Sequence, residues 1–256
     1  MGLASNLGLN SPDALNPFGC TPCFCYGHSN TCYPAKNYVK STIVSAFDYD
    51  DEDWKTGVNS SSVQYNKVLG SISAQSSFKF PAEFLSDKRY SYNQHLRFNL
   101  KVEKEDSRRR KLPGKLVLTG VGKDHRLVSL QCNLNSQGNP DPHVDPQQFE
   151  YRIHESHFNP QVDPITFISV LNNLSSVELQ VDGFGQLDQV ELETAVHGYH
   201  GEEANWVESC QAPNMSPMGN SCVDGYTFNS ESDNPYQPCE PCSCNSVGQK
   251  ITLIFK

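Results

Sequence analysis

Ten cysteines are the residues of this chain best equipped to do chemistry, and they fall into two clusters. Cys20, Cys23, Cys25 and Cys32 lie near the start, Cys210, Cys222, Cys239, Cys242 and Cys244 near the end, and Cys132 alone between them. Two chemistries suit sulfur at this density. Cys20-x-x-Cys23 and Cys239-x-x-Cys242 have the spacing of zinc ligands. The additional Cys25 and Cys244, and the prolines around them, instead favour oxidation to disulfides in an extracellular setting. Cys132, on a predicted strand, reads as a buried thiol.

Other side chains invite a site and mostly decline it. The acidic run from Asp48 to Asp53 supplies the oxygens calcium takes, although a solvated turn is the plainer reading. Arg108-Arg109-Arg110-Lys111 is the one basic run. It reads as a hairpin tip kept solvated by charge, with a heparan sulfate contact or a protease site as the alternative. His154 and His157 point to opposite faces if their segment is extended; with His197 and His200 they read as surface histidines. There is no Gly-x-Ser-x-Gly, no phosphate-binding glycine loop and no His-Glu-x-x-His. No catalytic residue is offered, and the expectation is that the chain is not an enzyme. Asn59, Asn173 and Asn214 open glycosylation sequons; Pro217 after Ser216 makes Asn214 the poorest acceptor.

A net charge of −9 argues against nucleic acid or an anionic membrane as partner, since both require a concentrated basic face. No run approaches the roughly eighteen apolar residues of a membrane span. Met1 to Asn16 has neither the basic start nor the apolar core of a signal peptide. Beside oxidised cysteines, this suggests a piece of a larger secreted protein.

The elements that must position the cysteines are strands. Candidates are Thr42–Phe47, Val63–Val68, Ile72–Ala74 and Ser77–Phe80. In His95–Val102, Leu96, Phe98, Leu100 and Val102 alternate with polar residues, one face in a core and one in water. Further strands are predicted at Lys115–Thr119, Arg126–Cys132 and Gln148–His154, with Val177–Val181 and Gln189–Ala195 as the last two. Glu103 to Gly114 reads as a turn and Asn133 to Gln147 as a polar loop. Asp163-Pro164 before Phe167, Val170 and Leu171 predicts one short helix, Asp at the N-cap and Pro at the first position. Many short strands, few helices and close turn signals give a mainly β chain, an antiparallel β-sandwich or jelly roll flanked by disulfide-rich segments.

The opening cluster, Cys23-Phe-Cys25-Tyr-Gly27-His28-Ser29-Asn30-Thr-Cys32, resembles the start of a laminin-type EGF-like module. Trp206-Val207-Glu208-Ser209-Cys210 is similar to the way such a module resumes after an insertion. Cys222-Val-Asp-Gly225-Tyr226 and Pro235-Tyr236-Gln-Pro238-Cys239 are similar to its close. The middle resembles the laminin IV type A domain through Phe80-Pro81-Ala-Glu83-Phe84-Leu85, Ser91-Tyr92-Asn93-Gln94, Leu116-Val117-Leu118, Leu171-Asn172-Asn173-Leu174-Ser175-Ser176-Val177 and Leu187-Asp188-Gln-Val190-Glu-Leu192. The opening cluster and the Leu-Asn-Asn-Leu-Ser segment look most like a laminin gamma chain.

That resemblance implies a division of the chain. Residues 1–16 are a linker, 17–35 end one EGF-like module and begin a split one, and 36–205 are the sandwich. Residues 206–241 complete the split module, and 242–256 start another module with an atypical tail. It implies the pairs Cys23–Cys32, Cys25–Cys210 and Cys222–Cys239, with Cys20, Cys242 and Cys244 belonging to neighbouring modules. The fifth cysteine falls at Ala212 and no residue supplies the sixth, so the closing half is expected to be the looser. Closing a loop of about 185 residues through Cys25–Cys210 is worth up to about 5 kcal/mol of unfolded-chain entropy. Similarity to carbohydrate-binding jelly rolls makes Asp48 and Asp188 the candidate ligands for a structural calcium; no other cofactor is implied. The implied function is structural, a short-arm spacer of basement membrane supporting cell adhesion and matrix assembly. Its implied partners are other laminin chains, through parts absent here, and matrix proteins or cell-surface receptors, with no nucleic acid and no membrane insertion. A glycan-binding sandwich is the alternative, marked by a row of exposed aromatics on one sheet. A glycoside-cleaving enzyme, marked by two carboxylates facing a cleft, is the second rival.

Overall fold

The computed structural model describes residues 23–57, 61–103, 114–134, 147–228 and 235–242. Along them run β1 (Cys32–Pro34), β2 (Tyr38–Ser45), β3 (Lys55–Thr56), β4 (Gln64–Asn66), β5 (Ser71–Lys79), β6 (His95–Glu103), β7 (Gly114–Val121), β8 (Leu127–Asn133) and β9 (Gln147–Arg152). The helix α1 (Pro164–Asn172), then β10 (Leu174–His197), β11 (Glu208–Cys210), β12 (Tyr226–Phe228) and β13 (Cys239–Pro241) complete the order. The chain is mainly β, and every strand pairing is antiparallel.

β10 is the spine. Its first half pairs along one edge with β7 and its second half, on that same edge, with β6. On the opposite edge β5 runs past the bend and β2 pairs with Val190–His197. β8 extends the β7 wing and β9 the β6 wing. Both wings contribute to one core, which holds Leu116, Leu118 and Leu130 from one and Phe98, Phe149 and Tyr151 from the other. The Tyr151 hydroxyl donates to the carbonyl of Leu134, tying the end of β9 to the end of β8.

The two last predicted strands are a single strand of 24 residues. Asp182-Gly183 bends it rather than ends it, with Gly183 at φ 113°. Beyond the bend a second device keeps the apolar side inward. Asp188 faces Asn99 and Val190 faces Phe98, so Gln189 is an extra residue bulged out of the ladder at φ 47°. A bulge shifts which face each side chain meets. Val177, Leu179 and Leu187 point inward before it, and Val190 and Leu192 after it. Likewise Ile72–Ala74 and all but the last residue of Ser77–Phe80 belong to one strand, β5, which Ser76 kinks at φ 76° without breaking.

α1 begins as Asp163-Pro164 predicts: the Asp163 carboxylate accepts from Thr166 N at 3.1 Å and Pro164 opens the helix. The helix lies on β7 so closely that a Cβ at Gly120 would come 2.4 Å from the Val170 carbonyl oxygen and 2.7 Å from that of Asn173. Only glycine allows that approach.

Candidate functional site

The cysteine-bearing ends meet each other and the sandwich at one junction. β1 pairs with β11, placing Cys32 opposite Cys210. Disulfides join Cys23 to Cys32, Cys25 to Cys210 and Cys222 to Cys239, the second spanning 185 residues. Cys25 and Tyr26 take positive φ (37° and 49°) in a tight turn closed by Gly27 at φ 80°. The turn aims the amides of Phe24 and Cys25 inward, where the Glu208 carboxylate accepts both, at 2.7 and 2.9 Å. Burial pushes the Glu208 carboxyl above its ordinary range; the two amides and Arg89 pull it back part of the way.

Arg89 is the sandwich's contribution. It is 7% exposed, in a turn just before β6, and forks onto the Asp87 carboxylate at 2.9–3.1 Å. Its guanidinium also lies over three rings, Tyr26 at 5.0 Å, Tyr90 at 5.5 Å and Phe24 at 5.8 Å. Desolvation alone would favour the neutral form, but Asp87 outweighs it and the group stays charged. Phe24 and Tyr26 are counted in the sandwich's own core, so the opening segment lends that core two side chains.

The closing segment reaches the same place through Tyr236, whose ring lies edge-on to Tyr26 at 5.2 Å and to Phe24 at 6.1 Å. The Tyr26 hydroxyl donates to Asn172 Oδ1 at 2.9 Å, at the end of α1, and burial pushes its pKa up to about 12. Pro235 O receives the His28 ring nitrogen at 2.7 Å. On the far flank Trp206 Nε1 donates to Tyr90 O at 2.8 Å, and Tyr38 packs edge-on to Tyr90 at 5.4 Å. Rings, one buried cation and amide-bound carboxylate are assembled here, with a disulfide across the middle. The arrangement can hold two bodies at a fixed angle.

Asp48 is exposed and Asp188 half-buried, its carboxyl raised by burial against the opposing amide of Gln189. Among the described residues, the one group of three ligand-type side chains is Cys25, Glu208 and Cys210, whose sulfurs are bonded to each other. The calcium candidates are therefore outside any such group. Asn173, at the end of α1, and Asn214 are exposed; Asn59, Cys20, Cys244 and the basic run from Arg108 lie outside the described residues. Cys132 is a fully buried thiol on β8. His154 and His157 sit in a tight turn rather than a strand, so their rings come within 6.2 Å instead of diverging. Among the described residues, the exposed aromatics Tyr33, Tyr49 and Tyr199 lie outside the large sheet and form no row on it.

Sequence reasoning missed Asp87, Arg89 and Tyr236. Asp87-Lys88-Arg89 reads as a solvated turn, and the burial of Arg89 depends on rings about sixty residues upstream in sequence. Glu208 and Tyr236 stood inside quoted motifs with no role attached.

Laminin B (Domain IV) is the family whose model matches, over residues 77–208. Laminin subunit gamma-1 of Xenopus tropicalis is 36% identical over 246 residues, 89% of this chain and 15% of that protein. Laminin-like protein lam-2 of Caenorhabditis elegans is 31% identical over 252 residues, 90% of this chain and 15% of that protein. The chain thus spans about 15% of the length of these curated relatives. Among solved structures, the L4b domain of human laminin alpha-2 is similar to 52% of this chain and covers 82% of its own length, at 11% identity and TM-score 0.40. That likeness is too loose to carry an argument. With the family's model matched across the heart of the sandwich and through Glu208, the chain belongs to the Laminin B (domain IV) family.

Proposed function

We propose that the chain is a structural spacer segment of a secreted basement-membrane protein, a sandwich held at a set angle in a disulfide-stapled rod. The junction carries this reading. Cys25–Cys210 bolts the opening segment to the closing one, Glu208 seals that joint, and Arg89 and Tyr236 fix the bolted pair against the sandwich. The disulfides, the sequons and the similarity to laminin gamma chains support an extracellular matrix setting. By that similarity the segment belongs to a subunit that assembles with other laminin chains through regions absent here. Matrix proteins or cell-surface receptors are its further partners. The ends form one split EGF-like module, and no reaction enters the reading.

The test is geometric. Paramagnetic labels at Thr227 on β12 and Leu127 on β8, both exposed, report the distance between closing segment and sandwich. A spacer gives one narrow distance distribution, and a broad one removes the reading. Peptide mapping without reduction adds a chemical check: a Cys25–Cys210 peptide supports the split module, and free thiols at both positions sink it.

A further inference from the structure

One edge of β2 is open. Its inner edge pairs with β10 along all 8 residues with no shift in register. On the outer edge a partner begins and then stops. Ala204 N donates to Tyr38 O at 2.9 Å and Lys40 N donates to Glu202 O at 2.8 Å, with Val39 opposite Glu203. Backbone groups alternate sides along an antiparallel strand. The N–H and C=O of Thr42 and Val44 therefore face the same way as those of Tyr38 and Lys40. Among the described residues no strand lies there to meet them.

A groove of about 450 Å³ touches this edge, lined in part by Lys40, Thr42, Glu193, Glu202, Glu203 and Trp206. Its charged lining is three carboxylates against one ammonium: Lys40 is paired with Glu202 and Glu193 with Arg97 and His95, so among the described residues Glu203 is the carboxylate that carries no ion pair. Lysine on an exposed edge strand ordinarily repels an incoming strand; here that charge is spent on a neighbour. Val44, 46% exposed, offers an incoming chain an apolar contact.

We propose that the open edge of β2 is a docking site for an extended, basic peptide segment of a partner protein. The segment adds as a strand beside Thr42 and Val44, continuing the pairing that residues 202–204 begin. Main-chain hydrogen bonds supply affinity that is indifferent to sequence. The Glu203 carboxylate, backed by the acidic excess of the groove, supplies the choice of a lysine- or arginine-bearing strand over an acidic one.

Amide hydrogen exchange on the whole chain tests this, using a blocked peptide of about eight residues that alternates valine and lysine, a typical strand length. The expected result is exchange at Thr42 and Val44 slowed about tenfold, with no slowing by the valine–glutamate peptide. Val44→Pro removes one edge N–H that the fold does not use, and abolishes the slowing at an unchanged unfolding midpoint. Should that variant misfold, Glu203→Lys leaves the backbone intact and weakens the lysine peptide about tenfold. Equal slowing by both peptides, or none by either, overturns the proposal. So does slowing that grows with protein concentration alone, which assigns the edge to a second copy.

Discussion

Between β2 and β10 the chain buries Phe47, Trp54, Phe78, Phe98, Phe149 and Leu179 to within about one or two per cent, and no disulfide lies among its described residues. At the ends the proportions reverse. Three disulfides bind short strands of 3 residues each, and the cluster they form on their own is Cys23, Cys25 and Cys32 with Cys210 beside it. The sandwich resists unfolding because opening it wets apolar area, about 1.5–3 kcal/mol for each large side chain. The ends bury too little for that and depend on making the unfolded chain less free. The junction teaches more than either region, because it uses both means. Phe24 and Tyr26 stand beside disulfide cysteines in sequence and inside the sandwich's core in space.

The strongest blow to this contrast is Cys25→Ser with Cys210→Ser. The ends should lose up to about 5 kcal/mol of chain-entropy stabilisation, and the Phe24 and Cys25 amides should exchange near the open-chain rate while the Phe98 amide stays protected. Equal loss at both sites erases the distinction. Arg89→Met tests the electrostatic half of the junction. It takes the partner from Asp87, which is 45% exposed and stays solvated, and uncovers three rings, for about 2 kcal/mol in denaturant unfolding. A loss no larger than that of a surface substitution shows that the guanidinium holds nothing.

Glu208→Ala orphans two buried amides, an expected cost of about 2 kcal/mol, read as faster exchange at Phe24 and Cys25 alone. Tyr236→Ala should cost about 1–2 kcal/mol and broaden the distance distribution between closing segment and sandwich without moving the sandwich's own melting; a distribution as narrow as the parent's places the anchor elsewhere. The smallest effect belongs to the sandwich. Asp163→Ala removes the cap of α1 for about 1 kcal/mol. Burial favours protonated Asp163, but the hydroxyl and amide of Thr166 and then Lys123 hold its carboxyl below the usual range. The stabilisation is complete above about pH 3.9, the ordinary aspartate value, and is lost as pH falls through the depressed one. Asp163→Asn, still a good cap, should flatten that stretch of an acid titration.

Much of the sandwich was legible because its signals are local. β6 alternates within nine residues, and Asp163-Pro164 declares its helix in two. β10 reads as two strands because Asp182-Gly183 carries turn residues, and that β5 runs past the bend leaves no mark in one strand alone. Arg89 is unreadable for the same reason: a buried cation needs its rings and its carboxylate, and Phe24 and Tyr26 come from the far opening of the sequence. The pairing of cysteines came from likeness to a family; spacing left it open. The groove beside β2 had no sequence signal, since an open edge is a fact about which strand is missing.

Tension applied to the two ends of this chain follows the covalent path. It enters at Cys25, crosses to Cys210 and leaves, so the residues between the two cysteines bear none of it. The sandwich is a passenger on that path, free to keep its open edge and its fold while the ends are loaded. Cutting that one bond brings the whole insertion into the line of force and, once it unravels, lengthens the tether by about 600 Å.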